Sequence, residues 1–191
     1  MAKRTQGSAG DVGLLIARAT AGGLLAGHGA QKLFGLFGGY GIQGTAGWLE
    51  STGMKPGKFW AYVAGGSEFA SGLSMALGFL TPIGAVSAFA PMLTAWNKVH
   101  MGKPVWGTEG GPEMPILYMT LATMVGLAGP GRYSVDQALD IDVPAWMVAA
   151  TAAGVAAGVA YSISSKPPEP EEPSADEALA AQGTGTGDAQ E

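Results

Sequence analysis

The chain has 191 residues, which is enough for one domain. Only 13 % of them are charged, against about 25 % in a typical soluble domain. The absence of cysteine excludes disulfides, zinc–thiolate sites and cysteine-ligated iron–sulfur clusters. The formal charge of −5 arises at positions 166–191, which carry one Lys and seven Asp/Glu, and no basic patch suggests a nucleic-acid partner.

Five long apolar segments predict membrane-spanning helices. They cover residues 12–34, 58–80, 82–100, 114–128 and 143–164. A helix needs about 20 residues to cross a hydrocarbon core of about 30 Å, and only the fourth segment is clearly shorter. The runs lack the alternation of membrane barrel strands. We therefore expect an all-α, polytopic membrane helix bundle.

Prolines and glycines predict how the segments are joined. Thr81 and Pro82 alone separate the second and third segments, which predicts an antiparallel hairpin, and Pro91 should kink the third segment. The Gly-rich connection 34–57 is predicted to be interfacial or partly re-entrant. With five crossings, it lies on the same membrane face as the connection 100–113. A small excess of Lys near these connections predicts that this face is cytoplasmic, with the N-terminus outside.

The ends of the chain are predicted to lie outside the bundle. Residues 1–11 form an N-terminal segment, and the first apolar segment is too long for the core of a cleavable signal peptide. Residues 12–142 form the four-helix bundle, and residues 143–164 add a fifth helix. Residues 165–191 are rich in Pro, Glu and Gly and are predicted to be a disordered acidic tail.

Ionisable residues inside the apolar segments predict a polar site. Arg18, His28 and Lys32 share one face of the first segment at 100° per residue. Glu68 lies near the middle of the second segment, and aligning the midpoints places it opposite Gly23. Because buried charges in lipid find partners, we expect an Arg18–Glu68 pair with His28 close by.

This polar site has two interpretations of equal weight. It is suited to a quinone head group, a small anion or a proton, or it is an ion pair that determines helix register. His28 and His100 are the only histidines, which is too few to predict a metal site.

Two small-xxx-small motifs predict close helix packing. The first, Gly23 to Gly27, should pack within the bundle. The second, Gly154 to Gly158, either packs the fifth helix on the bundle or mediates a homo-oligomer.

Three ordered motifs resemble the DoxX family. They are LLIARATAGGLLAGHGAQKLFG (14–35), GGSEFASGLSMALGFLTPIGA (65–85) and GPGRYSVD (129–136). The resemblance implies a four-helix bundle in the bacterial cell membrane (inner or plasma membrane), from which the fifth helix and the tail depart. It carries over six positions: Arg18, His28, Lys32, Glu68, Arg132 and Asp136. In the third motif we expect Arg132 and Tyr133 at the membrane interface, with Asp136 capping the stretch after it or pairing with Arg132.

The resemblance also implies a redox-linked role. Members are similar to the membrane subunit of thiosulfate:quinone oxidoreductase or belong to oxidative-stress complexes, so a quinone and soluble redox enzymes are the implied cofactor and partners. Two alternatives remain open at this point. The chain is either a non-catalytic membrane anchor for soluble enzymes or a small-molecule transporter.

Overall fold

The computed structural model describes residues 8–167, and every regular element in this range is helical. The helices are α1 (Ala9–Phe34), α2 (Gly41–Ser51), α3 (Gly57–Leu77), α4 (Thr81–Ser87), α5 (Phe89–Ala95), α6 (Glu113–Ala128), α7 (Val135–Leu139) and α8 (Ala145–Ser164). The all-α class is therefore confirmed for the described range. The predicted tail falls almost entirely outside it.

The five predicted segments correspond to long helices. They match α1, α3, the pair α4–α5 with its π-helical extension Trp96–His100, α6 and α8. By length and apolar composition, α1 and α8 are each able to cross a membrane, and α6 is a shorter apolar helix of 16 residues. The predicted interruption of the third segment falls at Ala88, between α4 and α5. Pro91 lies one turn later, where its ring opposes the carbonyl of Ser87.

Local sequence explains where α1 begins and ends. The side chain of Ser8 accepts a hydrogen bond from the Asp11 amide, while the Asp11 carboxylate accepts one from the Ser8 amide. This capping box satisfies amides at the helix start. Gly35 ends the helix in the left-handed conformation at φ 70°, which a residue with a side chain adopts at a cost.

Glycines bring α1 and α3 into backbone contact, and these two helices form the largest helix pair of the bundle. A methyl group on Gly22 would collide with the backbone of Ala76, and one on Gly29 would collide with the backbone of Phe69. The prediction for Gly23 and Gly27 is wrong, because a methyl group at either position would meet no atom within 4 Å. The packing glycines lie on a neighbouring face and are spaced by seven residues, which is about two helical turns.

The connection between α1 and α3 contains α2, an 11-residue helix. At 1.5 Å per residue it spans about 16 Å, too short to cross a bilayer. Its buried residues Thr45 and Leu49 face the bundle, whereas Tyr40 and Trp48 are exposed. This is the amphipathic pattern of an interfacial segment.

The C-terminal end of α8 is attached to the bundle near α2. Lys98 Nζ donates hydrogen bonds to the carbonyls of Thr52 (3.2 Å) and Ser165 (2.5 Å), and the Tyr161 hydroxyl donates to the Lys55 carbonyl (2.9 Å). Ser162 is nevertheless the only buried residue of α8, and most apolar residues of this helix are exposed, as on a helix in contact with lipid. Methyl groups on Gly154 and Gly158 would meet no atom within 4 Å, so these glycines do not pack α8 onto the bundle.

Candidate functional site: a buried ion pair beside an aromatic cavity

A lysine and a glutamate pair across the α1–α3 interface. Lys32 Nζ donates to Glu68 Oε1, which forms a salt bridge. The Glu68 side chain is 3 % exposed and that of Lys32 is 33 % exposed. A carboxylate buried among helices thus has a cationic partner on its partly open side, as such a group requires.

The predicted Arg18–Glu68 pair is wrong, and helix register is the reason. Gly29 packs against Gly65 and Phe69, so Glu68 lies level with residues 28 and 29 instead of Gly23. The shift is about five residues, or roughly 8 Å along the helix. It brings Lys32 within reach of Glu68 and leaves Arg18 near the other end of the interface.

Arg18 instead binds the C-terminal end of α3. Its guanidinium donates to the carbonyls of Met75 (3.4 Å), Ala76 (2.5 Å) and Tyr133, and the residue is only 1 % exposed. The last carbonyls of a helix have no partners within it and carry a partial negative charge, so a cation is favourable there. Arg18 therefore has a structural environment distinct from that of Glu68.

Asp136 provides the complementary anion at the start of α4. Its carboxylate accepts hydrogen bonds from the amides of Leu80 (2.7 Å) and Thr81 (2.9 Å) and from the Thr81 hydroxyl (2.8 Å). The prediction that Asp136 caps the stretch after it is therefore wrong, whereas its pairing with Arg132 stays a prediction. Ser134 caps α7, and Asp136 caps α4, a helix distant in sequence. Together, Arg18 and Asp136 hold the α3–α4 turn from both of its helix ends.

Arg132 and Tyr133 lie beside this turn. Tyr133 exposes its ring and uses its backbone carbonyl to bind Arg18. Arg132 is half-buried and lies within electrostatic range of Asp11 at the start of α1. Their predicted position at the membrane interface stays a prediction.

His28 lies level with Glu68 but its side chain is exposed. Its Nδ1 is 3.1 Å from Gln31 Oε1, and its ring makes an edge contact with Tyr118 at a centroid distance of 6.2 Å. The three residues predicted to share one polar site on α1 therefore lie in three environments. Arg18 binds the α3–α4 turn, His28 is exposed, and Lys32 pairs with Glu68.

A cavity of about 80 Å³ borders Lys32. Helices α1, α2, α3, α5 and α8 all contribute to its wall. Its polar lining side chains are those of Lys32, Thr45, Ser67 and Thr94, and its aromatic lining residues are Trp48 and Trp60. One water needs about 10–15 Å³ of such volume, so the cavity holds roughly six water-sized groups, on the order of one six-membered ring.

Sequence reasoning missed the aromatic wall of this cavity and also Tyr118. Trp48 resembled an interfacial anchor, and Trp60 and Tyr118 lie in runs where an aromatic residue is ordinary. Tyr118 is 6 % exposed and lies in the core with Leu25, Met75 and Met92. Among the described residues, the hydroxyl of Tyr118 and Oε2 of Glu68 have no hydrogen-bond partner.

The length and apolar composition of α1 and α8 support a helical membrane protein. Residues 13–101 match the family model described as DoxX, so this part of the chain is similar to the DoxX family. The match extends from α1 to the end of the π-helical extension, and it includes Arg18, Lys32, Glu68 and every lining residue of the cavity except Gly158. No curated protein and no solved structure matches the chain significantly.

Proposed function

We propose that this protein is a multi-pass subunit of the bacterial cell membrane that binds a quinone head group in the cavity beside Lys32. The observation that carries the proposal is the double role of Lys32, whose side chain pairs with Glu68 and also lines the cavity. A reduced soluble protein, which docks from the aqueous side, would supply electrons. The match of residues 13–101 to the DoxX family model supports the membrane location, and the redox role rests on the chemistry of the cavity.

The cavity wall suits a flat ring that carries carbonyl oxygens. The ammonium group of Lys32 has three donors and only one is needed for Glu68, so it can donate to a quinone oxygen. Trp48 and Trp60 offer aromatic faces, against which a planar ring stacks. Such sites combine apolar walls with a few orienting polar groups, and Thr45 and Ser67 add such groups here.

Glu68 fits the role of proton donor in this reaction. Conversion of a quinone to the quinol consumes two electrons and two protons, and it is the quinone that supplies the electron-accepting chemistry. The carboxylate of Glu68 lies next to the cation that would orient the ring, so it can take up a proton and pass it on to the reduced ring. After it gives up a proton, its carboxylate is again stabilised by Lys32, so no isolated charge is left in the bundle.

Quinone binding to the purified protein tests the proposal. A short-chain ubiquinone or menaquinone should quench the tryptophan fluorescence of the wild-type protein, and the quenching should saturate. K32M and W48L should each weaken binding at least tenfold, whereas K58M, which removes an exposed lysine of the same membrane face, should not. Wild type without saturable binding, or K32M and W48L with unchanged affinity, would contradict a quinone site.

The anchor alternative is favoured by one surface. In the connection between α5 and α6, the apolar side chains of Met101, Val105 and Trp106 are exposed. An anchor needs this surface and not the cavity. Two results together would favour the anchor over the quinone subunit. Purified W106E would no longer retain the soluble partners of wild type. K32M would retain them and support the same cellular activity.

A further inference from the structure

Two buried oxygens at the junction of α1, α3 and α6 have no partner within residues 8–167. They are Oε2 of Glu68 and the hydroxyl of Tyr118. Leaving such atoms unsatisfied destabilises the folded state, and native proteins satisfy nearly all of them. Two of them in one region therefore call for a shared partner.

The two residues lie at the same level of the bundle. Gly29 packs on Gly65 and Phe69, which places Glu68 level with residues 28 and 29. The ring of His28 contacts the ring of Tyr118, which places Tyr118 at this level as well. Tyr118 is also within electrostatic range of Glu68, although no direct hydrogen bond joins them.

We propose that one ordered water molecule bridges Glu68 Oε2 and the Tyr118 hydroxyl, which makes Tyr118 a positioning residue for Glu68. A buried water makes two to four hydrogen bonds to polar groups that otherwise lack them, and these two oxygens provide a carboxylate acceptor and a hydroxyl that donates or accepts. Lys32 and the water then hold the two carboxylate oxygens from opposite sides.

In the proposed function, the water would return a proton to Glu68, so this role of the water rests on the proposed function. A proton donor buried in a membrane must take up a new proton after each transfer, and a water on Oε2 is the nearest group that can deliver one. Tyr118 fixes that water, because the buried side chains that pack with it in the core, among them Leu25, Met75 and Met92, are apolar. The existence of the water does not depend on the quinone.

Removal of the Tyr118 hydroxyl gives opposite results with and without the water. If the hydroxyl is unsatisfied, Y118F relieves a buried polar group and the melting temperature stays equal or rises. If a water is bound, Y118F breaks its hydrogen bonds and the melting temperature falls. We expect a fall of several degrees for Y118F and no change for Y133F, which removes an exposed phenol.

Infrared spectroscopy at a pH low enough to protonate the Glu68 carboxyl provides the second readout, with E68Q to assign its band. We expect wild type to show a hydrogen-bonded carboxyl frequency, with an upshift in Y118F and none in Y133F. A frequency typical of an isolated carboxyl in wild type, or Y118F with equal melting temperature and an unchanged band, would overturn the water site. Neither readout uses quinone, so a failed quinone titration would overturn the proposed function alone.

Discussion

Lys32 and Arg18 lie about 40° apart around α1, yet Arg18 binds the C-terminal end of α3 and Lys32 binds its middle. Arg18 donates hydrogen bonds to the last carbonyls of α3, and Asp136 accepts them from the first amides of α4. Both residues therefore stabilise the α3–α4 turn. Lys32 faces a cavity as well as a carboxylate. Of the four ionisable residues predicted to form one site, only Lys32 and Glu68 therefore remain together.

The Lys32–Glu68 pair should show strong non-additivity. E68A should cost roughly 2 kcal/mol of unfolding free energy, since a hydrogen bond between charged groups is worth about 1.5–3 kcal/mol. E68Q should cost less, because the amide still bonds. K32M should also destabilise, but K32M/E68L should recover most of the loss because no buried charge is left unpaired. Chemical unfolding in detergent measures this cycle, and additive losses would contradict a coupled pair.

At the level of helices, the glycine contacts explain why the sequence predicts the positions of the helices but not their register. Segment length and apolar content predict the helices to within a few residues, because these properties are local. Register is not local: Gly22 and Gly23 are equally compatible with an apolar helix, and only the contact with Gly72 and Ala76 distinguishes them. The wrong partner for Glu68 follows directly from this ambiguity. The cavity depends on α2 and α8 as well, so its aromatic wall could not be derived from one pair of segments.

Two adjacent glycines should respond to alanine in opposite directions. G22A places a methyl group against the Ala76 backbone, so α1 and α3 must separate, and we expect a loss of about 2 kcal/mol, within the range of overpacking. G23A meets no atom, and alanine is favoured over glycine in a helix by about 1 kcal/mol. Melting temperatures in one detergent compare the two variants. If G23A proved as damaging as G22A, the described α1–α3 register would be incorrect.

For the whole molecule, the position of α8 decides the membrane topology. Its C-terminal end is bonded through Ser165 to Lys98 at the end of the third predicted segment, and it runs along α4 and α5. At 20 residues it is about 30 Å long, which matches the hydrocarbon core. Five crossings follow if α8 spans the membrane, and four if it lies on the surface.

The absence of cysteine allows a direct test of this topology, because any introduced thiol is the sole target of a membrane-impermeant maleimide. Cysteines at the exposed positions Lys103, Asp142 and Lys166 report the connection before α6, the start of α8 and its end. We expect K103C and K166C to react only from the cytoplasmic side and D142C only from the opposite side, since α8 must cross between 142 and 166. Labelling of D142C and K166C from one side would show that α8 does not cross. Labelling of K103C from outside would reverse the orientation that the lysine distribution predicts. The connection between α5 and α6 and the mouth of the Lys32 cavity would then face away from any cytoplasmic electron donor.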